Sequence, residues 1–232
     1  MEIKGLEELS TVDWGDRMVT TLFIPSCNFR CGFCFNIGIV LEPHKLKTIS
    51  WDTVEDHLIR RRKWLDGVVI TGGEPTIHDD LPELCIKIKK LGYDIKLDTN
   101  GTNPIMLKYL IKNELVDYVA MDIKAPLDKY KDIIGVTNDY TTLIKESIRV
   151  LKMLSVESLE FRTTIVPGFH SSSDLVNISK LIGGPYRYYL QLLKENTDTL
   201  DSKYENIKPY TESQLLLILD DIQRYTPNAK LR

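Results

Sequence analysis

Three of the four cysteines in this sequence crowd into one short segment, SCNFRCGFC (26–34). The thiols of Cys27, Cys31 and Cys34 follow the spacing C-x3-C-x2-C, whereas Cys85 lies far along the chain. A disulfide framework spreads its cysteines along a chain, while cysteines clustered in a reducing compartment usually hold a metal. The segment therefore predicts a metal or iron–sulfur site, and Cys85 is interpreted as a small buried hydrophobic residue.

Three thiolates suit an iron–sulfur cubane in which three irons are bound by the protein and one iron is left open. An open iron accepts an exchangeable ligand, as the open position of a catalytic zinc does. The alternative is a Cys3His zinc site with His44 or His57 as the fourth ligand. Zinc sites more often contain two separated C-x2-C pairs, and the sequence has no second pair. The spacing therefore favours the cubane.

Three further polar segments follow β-rich runs: TGGEP (71–75), DTNG (98–101) and MDIK (121–124). The glycines of the first let the backbone approach a ligand closely, and Glu74 supplies a negative charge for an ammonium group. Asp98 and Asp122 follow neighbouring predicted strands and could share a cation, with Lys124 placed to meet a carboxylate. Each segment taken alone also fits a plain turn after a strand.

Short β-rich runs alternate with amphipathic, helix-like segments along the chain. The predicted strands span 18–24, 67–73, 93–101, 116–124, 158–168 and 186–193. The predicted helices span 50–64, 79–90, 104–112, 141–154, 173–181 and 212–225. Parallel neighbours need helical crossovers, so this order predicts an α/β fold with a parallel sheet. In a β/α barrel the residues that follow each strand meet at one rim, and the polar segments are therefore expected to be neighbours.

The composition is that of a globular protein of 232 residues, with 43% hydrophobic and 27% charged side chains. We expect one domain over 1–232, divided into an N-terminal extension (1–17), a barrel core (18–193) and a C-terminal segment (194–232). A net charge of −3 gives no support for a nucleic-acid-binding face. No run of 18 apolar residues exists, and the N-terminus lacks the apolar core of a signal peptide. These features predict a cytoplasmic protein with no membrane or nucleic-acid partner.

The cysteine segment resembles the hallmark of the radical S-adenosylmethionine (SAM) superfamily, C-x3-C-x-Φ-C with an aromatic residue at Φ. Phe33 occupies that position, which in the family lies against the adenine of SAM. In the superfamily the segment equivalent to Gly72, Gly73 and Glu74 binds the amino end of SAM. The resemblance implies a partial (β/α)6 TIM-like barrel with parallel strands, a [4Fe–4S] cluster on the three cysteines, and SAM as the cofactor at the open iron.

The later segments resemble the activating proteins of glycyl radical enzymes. There the resemblance implies that Asp98 and Asp122 hold a monovalent cation at SAM, while Thr99 and Lys124 contribute to the SAM site. Asn36 matches a SAM-contacting asparagine of the same group. In RTTIVPG (162–168), Arg162 and Thr164 match residues that line the SAM pocket, although a structural ion pair is the alternative for Arg162.

Within that group the sequence is most similar to the activating proteins of anaerobic ribonucleoside-triphosphate reductase. The similarity lies in the opening STVDWGDRMVTTLFIPSCNFRC and in the ending IKPYTESQL. Two positions depart from the pattern, because Phe35 stands where those proteins usually have histidine and Gly32 where they commonly have proline. The resemblance implies an anaerobic oxidoreductase that takes an electron from a flavodoxin- or ferredoxin-type donor. It would cleave SAM to a 5′-deoxyadenosyl radical and remove the Cα hydrogen of one glycine in a partner enzyme.

Two other functions stay open. A small-molecule radical SAM enzyme such as 7-carboxy-7-deazaguanine synthase is the first, although that family typically has a polar metal-contacting residue close behind the third cysteine, where this chain has Phe35 and Asn36. A noncatalytic iron–sulfur or zinc protein is the second, and it would not need the GGEP and DTNG segments. With four cysteines, a second complete [4Fe–4S] cluster is excluded.

Overall fold

The computed structural model describes residues 1–193, 197–208 and 210–232. Its strands are β1 Gly5–Ser10, β2 Val19–Ile24, β3 Gly67–Gly72, β4 Asp94–Thr99, β5 Tyr118–Asp122, β6 Leu159–Ile165, β7 Arg187–Leu192 and β8 Ala229–Leu231. Its α-helices are α1 Ile37–Leu41, α2 Trp51–Arg60, α3 Leu81–Lys90, α4 Pro104–Lys112, α5 Tyr130–Ile134, α6 Thr141–Leu151, α7 Ser172–Ile182 and α8 Glu212–Gln223. Within the described ranges, every helix is too short or too polar to pass through a lipid bilayer.

The strands hydrogen-bond in the order of the sequence, from β1 to β8. Strand β1 pairs with β2 antiparallel, whereas β2 with β3, β3 with β4, β6 with β7, and β7 with β8 are parallel pairs. Helices connect the parallel strands of the core, as parallel pairing requires. The predicted α/β class with a partial barrel of parallel strands is confirmed, and the six predicted strands correspond to β2–β7.

The residues form two compact units. The first contains Met1–Asn28, Asn36–Thr99 and Ile105–Val119, and the second contains Phe29–Phe35, Asn100–Pro104 and Ala120–Arg232. In the first unit, β2 and β3 are buried along almost their whole length, with Leu22, Val69 and Ile70 fully inaccessible to solvent. In the second unit, Phe161 and Tyr188 are equally buried on β6 and β7. Such apolar strands are typical of a parallel sheet covered by helices.

Local sequence explains where helices α2, α7 and α8 begin. Ser50 caps α2 by accepting a hydrogen bond from the Thr53 N–H, as its position predicts, at a typical value of about 1 kcal/mol. Ser171 forms a complete capping box with Asp174 at the start of α7, and Thr211 forms one at the start of α8. The first backbone N–H groups of an α-helix have no partner within the helix, and these side chains accept hydrogen bonds from them.

The structure departs from the predicted elements in three places. Strand β1 precedes the first predicted strand, within the predicted extension 1–17, where no alternating apolar pattern marks it. Helix α2 ends at Arg60, short of the predicted end at 64, and Trp64 beyond it is 66% exposed. A short strand, β8, follows the last predicted helix. Both missed strands are defined by pairing with a neighbour, which local sequence does not encode.

Candidate active site

The TGGEP turn at the end of β3 is fixed to the backbone immediately before the first cysteine. The N–H of Gly73 donates to the carbonyl of Ile24 (2.8 Å), and the N–H of Glu74 donates to the carbonyl of Ser26 (2.8 Å). A Cβ on Gly72, whose φ is +118°, would lie 2.5 Å from the Ile24 backbone, and one on Gly73 would lie 1.7 Å from the Ser26 oxygen. Glycine alone fits such close approaches. These two glycines therefore allow a close approach of the protein's own backbone at Ile24 and Ser26. Their contact with a cofactor stays a prediction.

Cys27 follows directly from this contact. Its neighbour Ser26 has a φ of +65°, an uncommon value for a residue other than glycine, and the Ser26 N–H donates to the carbonyl of Ile39 (2.9 Å). The side chain of Asn36, two positions after the third cysteine in the sequence, donates to the carbonyl of Gly72 (3.0 Å) in the same turn. The thiol of Cys27 is partly exposed and free of any disulfide. The first unit thus presents Cys27 on backbone held from both sides.

Glu74 is the centre of a buried hydrogen-bond network. Its side chain is 1% exposed, and Oε1 accepts from the Thr76 N–H (3.0 Å), the Thr76 hydroxyl (2.5 Å) and the Thr99 hydroxyl (2.8 Å). Hydrogen bonds to an ionised carboxylate are stronger than those between neutral groups. The network therefore fixes Thr99, at the end of β4, against the turn that follows β3.

Asp98 lies beside a buried lysine. The Lys96 ammonium lies 3.5 Å from Asp98 Oδ1, and the Thr71 hydroxyl donates to Oδ2 (3.3 Å). Lys96 is 1% exposed and also donates to the carbonyl of Asp13. Lys96 shares a strand face with Asp98, because side chains two positions apart point to the same side. Lys96 is not among the predicted site residues, although a charged residue within an apolar strand is a signal that could have identified it.

In the second unit, the remaining cysteines flank Phe33. Cys31 is buried and Cys34 is partly exposed, and the N–H of Cys34 donates to the carbonyl of Cys31 (3.0 Å) in a tight turn. Phe33 is 6% exposed, and the ammonium of Lys124 lies 5.9 Å from the centre of its ring. That distance is within the range of a cation–π contact. The structure thus brings together Phe33 and Lys124, two of the predicted SAM-contacting residues.

Asp122 at the end of β5 is held between two cations. The Arg162 Nε donates to Oδ1 (2.8 Å) and the Lys124 ammonium donates to Oδ2 (2.7 Å). Burial opposes ionisation of the carboxyl, but the charges of Arg162 and Lys124 outweigh it and hold the pKa of Asp122 well below its ordinary value. Burial likewise opposes the charge of Lys124, yet the Asp122 carboxylate raises the pKa of that ammonium. All three groups are therefore charged at neutral pH.

Arg162 makes the ion pair with Asp122 that was the alternative interpretation of this residue. A second carboxylate, on Glu160, lies 3.8 Å from the Arg162 guanidinium and 3.6 Å from that of Arg232. Thr164 follows two positions after Arg162 on the same face of β6 and is partly exposed. An ion pair does not exclude a role in binding, because a guanidinium has five N–H donors and can serve more than one partner.

Two residues that the sequence analysis did not assign hold the backbone of Lys124. Its N–H donates to the Tyr130 hydroxyl (3.2 Å), and its carbonyl lies 2.8 Å from Nε2 of His170. Nδ1 of His170 accepts from the Val166 N–H (2.9 Å), so the hydrogen is on Nε2 and the ring is neutral. Burial lowers the pKa of His170, in agreement with a neutral ring. No local pattern distinguishes His170 or Tyr130 in the sequence, since their partners are distant along the chain.

The chemistry of the three thiols suits an iron–sulfur cubane, in which each thiolate binds a different iron. None of the four cysteines forms a disulfide, and in the parts of the chain that the structure describes no three His, Cys, Asp or Glu side chains are grouped as ligands of one metal ion. Nε2 of His57, one of the two candidate zinc ligands, lies 2.9 Å from the hydroxyl of Thr20.

A sequence model of the radical SAM superfamily matches residues 21–181, which is more than half of the chain. The chain belongs to the radical SAM superfamily. Membership implies a [4Fe–4S] cluster and SAM as the cofactors of this radical SAM protein, and it agrees with the cysteine segment described above.

Two curated proteins illustrate the range of its similarities. A protein of Methanocaldococcus jannaschii named "Putative glycyl-radical enzyme activating enzyme" is 29% identical over 233 residues, which are 99% of this chain and 95% of that protein. The 7-carboxy-7-deazaguanine synthase of Halobacterium salinarum is 40% identical over 76 residues, which are 33% of this chain and 29% of that protein. The first similarity extends over the whole chain, and the second covers a third of it.

Among solved structures, SuiB of Streptococcus suis bound to the precursor peptide SuiA resembles this radical SAM protein with a TM-score of 0.63. The similarity covers 92% of this chain and 48% of SuiB at 18% sequence identity. At this identity the comparison shows a shared fold.

Proposed function

We propose that this radical SAM protein is an activating enzyme that removes the Cα hydrogen from one glycine of a partner glycyl radical enzyme, namely an anaerobic ribonucleoside-triphosphate reductase. The observation that carries the activating role is the similarity to the M. jannaschii protein over nearly the full length of both chains. The similarity to 7-carboxy-7-deazaguanine synthase, the alternative function, is confined to a third of the chain. The similarity to an activating enzyme therefore covers a larger share of the chain than the similarity to 7-carboxy-7-deazaguanine synthase.

In this proposal Cys27, Cys31 and Cys34 hold the [4Fe–4S] cluster. The proposed SAM contacts are Phe33, Asn36, Gly72, Gly73, Glu74, Asp98, Thr99, Asp122, Lys124, Arg162 and Thr164. When bound, cluster and SAM together supply a one-electron cleavage of the C5′–S bond and the carbon radical that takes the glycine hydrogen. The contribution of the protein is to bind, orient and shield these groups.

The charges around Asp122 suit an anionic ligand group such as the SAM carboxylate. The ion pairs here group three cations, Lys124, Arg162 and Arg232, with two carboxylates, Asp122 and Glu160. An ammonium and a guanidinium can each donate to more than one acceptor, and charge-assisted hydrogen bonds to a carboxylate are among the strongest in proteins.

The role of Asp98 and Asp122 in holding a monovalent cation is a separate part of the proposal. Each carboxylate already has a side-chain cation within 3.5 Å, from Lys96 and Lys124 respectively. The measurement is SAM affinity in KCl against choline chloride at equal ionic strength. Tighter binding in KCl would support a bound cation, whereas equal affinity would mean that the lysines supply the positive charge.

The activating function is tested anaerobically. The protein is reconstituted with iron and sulfide, reduced chemically or by a flavodoxin- or ferredoxin-type donor, and mixed with SAM, and 5′-deoxyadenosine is measured. The host's anaerobic ribonucleotide reductase is then added and the EPR spectrum recorded, with Cys31→Ala as the control protein. A glycyl doublet that requires both proteins supports the proposal. Formation of 5′-deoxyadenosine with no doublet would contradict the proposed partner and favour a small-molecule substrate.

A further inference from the structure

A short segment near the C-terminus, Thr199–Glu205, folds into a compact turn that we call the strap. The Thr199 hydroxyl donates to the carbonyl of Asp201 (2.9 Å), and the Asp201 side chain accepts from the N–H of Lys203 (3.2 Å). The N–H of Tyr204 donates to the carbonyl of Asp201 (3.0 Å). These local hydrogen bonds give the strap a defined shape of its own, and Thr199 is buried.

The strap is hydrogen-bonded to the backbone of the cysteine segment. The N–H of Leu200 donates to the carbonyl of Cys34 (3.0 Å), and the N–H of Asp201 donates to the carbonyl of Gly32 (2.9 Å). The two donors are adjacent residues of the strap and the two acceptors are alternate residues of the cysteine segment, so the strap lies against the segment that ends in the third cysteine. The carbonyls of Gly32 and Cys34 are thereby satisfied by a part of the chain about 170 residues away.

Tyr204 packs against Gly32 and Phe33, the two residues between Cys31 and Cys34. Its ring lies edge-on to the ring of Phe33, with 6.2 Å between the centroids. A Cβ on Gly32 would lie 2.4 Å from Cε2 of Tyr204, closer than real Cβ contacts, although the φ of Gly32 lies outside the positive range that excludes other residues. The glycine is therefore required by the space that Tyr204 fills and not by backbone conformation.

We propose that the strap is a wall of the cofactor site and that Tyr204 is a positioning residue, which sets the orientation of Phe33 and through it the adenine of SAM. The contacts that carry this are the two backbone bonds, the Tyr204–Phe33 ring pair and the Gly32 approach. The inference rests on the proposed function, because it assumes that Phe33 contacts SAM. It also explains why this chain has glycine at position 32.

Five variants of the full chain test the inference. Gly32→Ala introduces the clash, Tyr204→Ala removes the ring, and the double variant Gly32→Ala with Tyr204→Ala removes the cause of the clash. Tyr204→Phe keeps the ring and is the conservative control. Ser202→Ala is the surface control on the strap, since Ser202 is exposed.

Two readouts are needed, SAM affinity of the reconstituted protein by equilibrium dialysis and the thermal midpoint of the protein without cluster. Gly32→Ala is expected to lower the midpoint, because overpacking a tight contact is destabilising, and the double variant is expected to recover part of that loss. Tyr204→Ala is expected to weaken SAM binding about fivefold, the scale of an aromatic pair, while Tyr204→Phe and Ser202→Ala bind SAM as the parent does. A higher thermal midpoint in the double variant than in Gly32→Ala would show that the two positions are in contact, because two independent losses of stability would add.

The inference is overturned if Tyr204→Ala binds SAM with the parent's affinity, or if Gly32→Ala is as damaging without Tyr204 as with it. If Gly32→Ala does not fold, the comparison of Tyr204→Ala with Tyr204→Phe still decides. If the parent protein itself does not bind SAM, the proposed function fails. The coupling between positions 32 and 204 then remains measurable in the thermal midpoints, so the two failures are distinguishable.

Discussion

The four thiols of the chain lie in different surroundings, and these surroundings set their reactivity. Cys27 and Cys34 are partly exposed, Cys31 is 7% exposed, and Cys85 on α3 is completely buried. Burial in apolar surroundings raises the pKa of the Cys85 thiol to about 12. Because the thiolate is the reactive and ligating form, Cys85 is inert at neutral pH.

Cys31→Ala is expected to abolish the iron content and brown colour of the reconstituted protein, because it removes one of three cluster ligands. Cys85→Ala is the matched control and is expected to keep both, at a stability cost of about 1 kcal/mol for the methyl-sized cavity. Iron and sulfide assays with the visible spectrum provide the measurement. An intact cluster in Cys31→Ala would refute the ligand assignment.

Asp122→Asn keeps the size of the side chain and removes its charge, so Lys124 and Arg162 lose their common anion. We expect the apo protein to lose about 2 kcal/mol of unfolding free energy, the scale of charge-assisted hydrogen bonds to a mostly buried group. The folded pKa of Asp122 is lowered, so its contribution is present above the unfolded value of about 4 and is lost as the pH falls toward the folded pKa.

The measurement is urea unfolding of both proteins from pH 8 to pH 3.5. The difference between parent and variant is expected to stay constant down to about pH 5 and to shrink only below about pH 4. Asp220→Asn, at a carboxylate that is 78% exposed and 3.7 Å from Arg224, is the control and is expected to change stability by less than about 0.5 kcal/mol. A difference that vanished between pH 7 and pH 5 would assign the effect to another group.

At the scale of elements, the turn after β3 and the end of β2 act as one support for Cys27. Two backbone hydrogen bonds and two close glycine approaches join them, and Asn36 adds a side-chain bond to the same turn. The backbone position of Cys27 therefore depends on Gly72 and Gly73, about 45 positions away, which bear no reactive group.

Gly73→Ala is expected to displace the Ser26 carbonyl, because the added Cβ would lie 1.7 Å from it, and so to lower cluster content strongly. Gly38→Ala is the control within α1, where a Cβ would meet only the Leu46 methyl groups at 3.8 Å. Alanine in a helix is favoured over glycine by about 0.5–1 kcal/mol, so Gly38→Ala should retain the cluster and be neutral or slightly stabilising. Equal cluster content in the two variants would contradict this role of the turn.

At the scale of the whole molecule, the predicted single domain over 1–232 is tested by cooperativity. Helix α8 packs on α7, and Ile222 on α8 is completely buried while Leu217 is 73% exposed. All three tryptophans, Trp14, Trp51 and Trp64, belong to the first compact unit, whereas α8 belongs to the second. Tryptophan fluorescence therefore reports one unit while a substitution perturbs the other.

Ile222→Ala is expected to cost about 2–4 kcal/mol, and in a single domain the tryptophan-detected unfolding transition should move by that full amount. Leu217→Ala is the control on the same helix and is expected to move it by less than about 0.5 kcal/mol. Urea unfolding followed by fluorescence provides the measurement. A fluorescence transition that Ile222→Ala left in place would mean that the two units unfold independently.

The sequence by itself determined the fold class and the family, and it predicts the chemistry of the cysteine segment. These conclusions rest on local features, namely the spacing of three thiols, glycines after a buried strand, and the alternation of strand and helix periods, all of which are visible among neighbouring residues. The predicted strands 67–73 and 93–101 correspond to β3 and β4 within one or two residues, because an apolar strand bounded by a turn is encoded within its own few residues. Which residues contact the cofactor remains a prediction.

Only the tertiary structure decided how the site is supported. Strands β1 and β8, the lysine beside Asp98, the histidine that fixes Lys124, and the strap on the cysteine segment all depend on contacts between residues far apart in sequence. Such contacts have no local pattern, since any hydroxyl, amide or ring of suitable size can make them once the backbone brings it near. Gly32 is an example, because the sequence shows a departure from the family pattern and only the packed ring of Tyr204 supplies its reason.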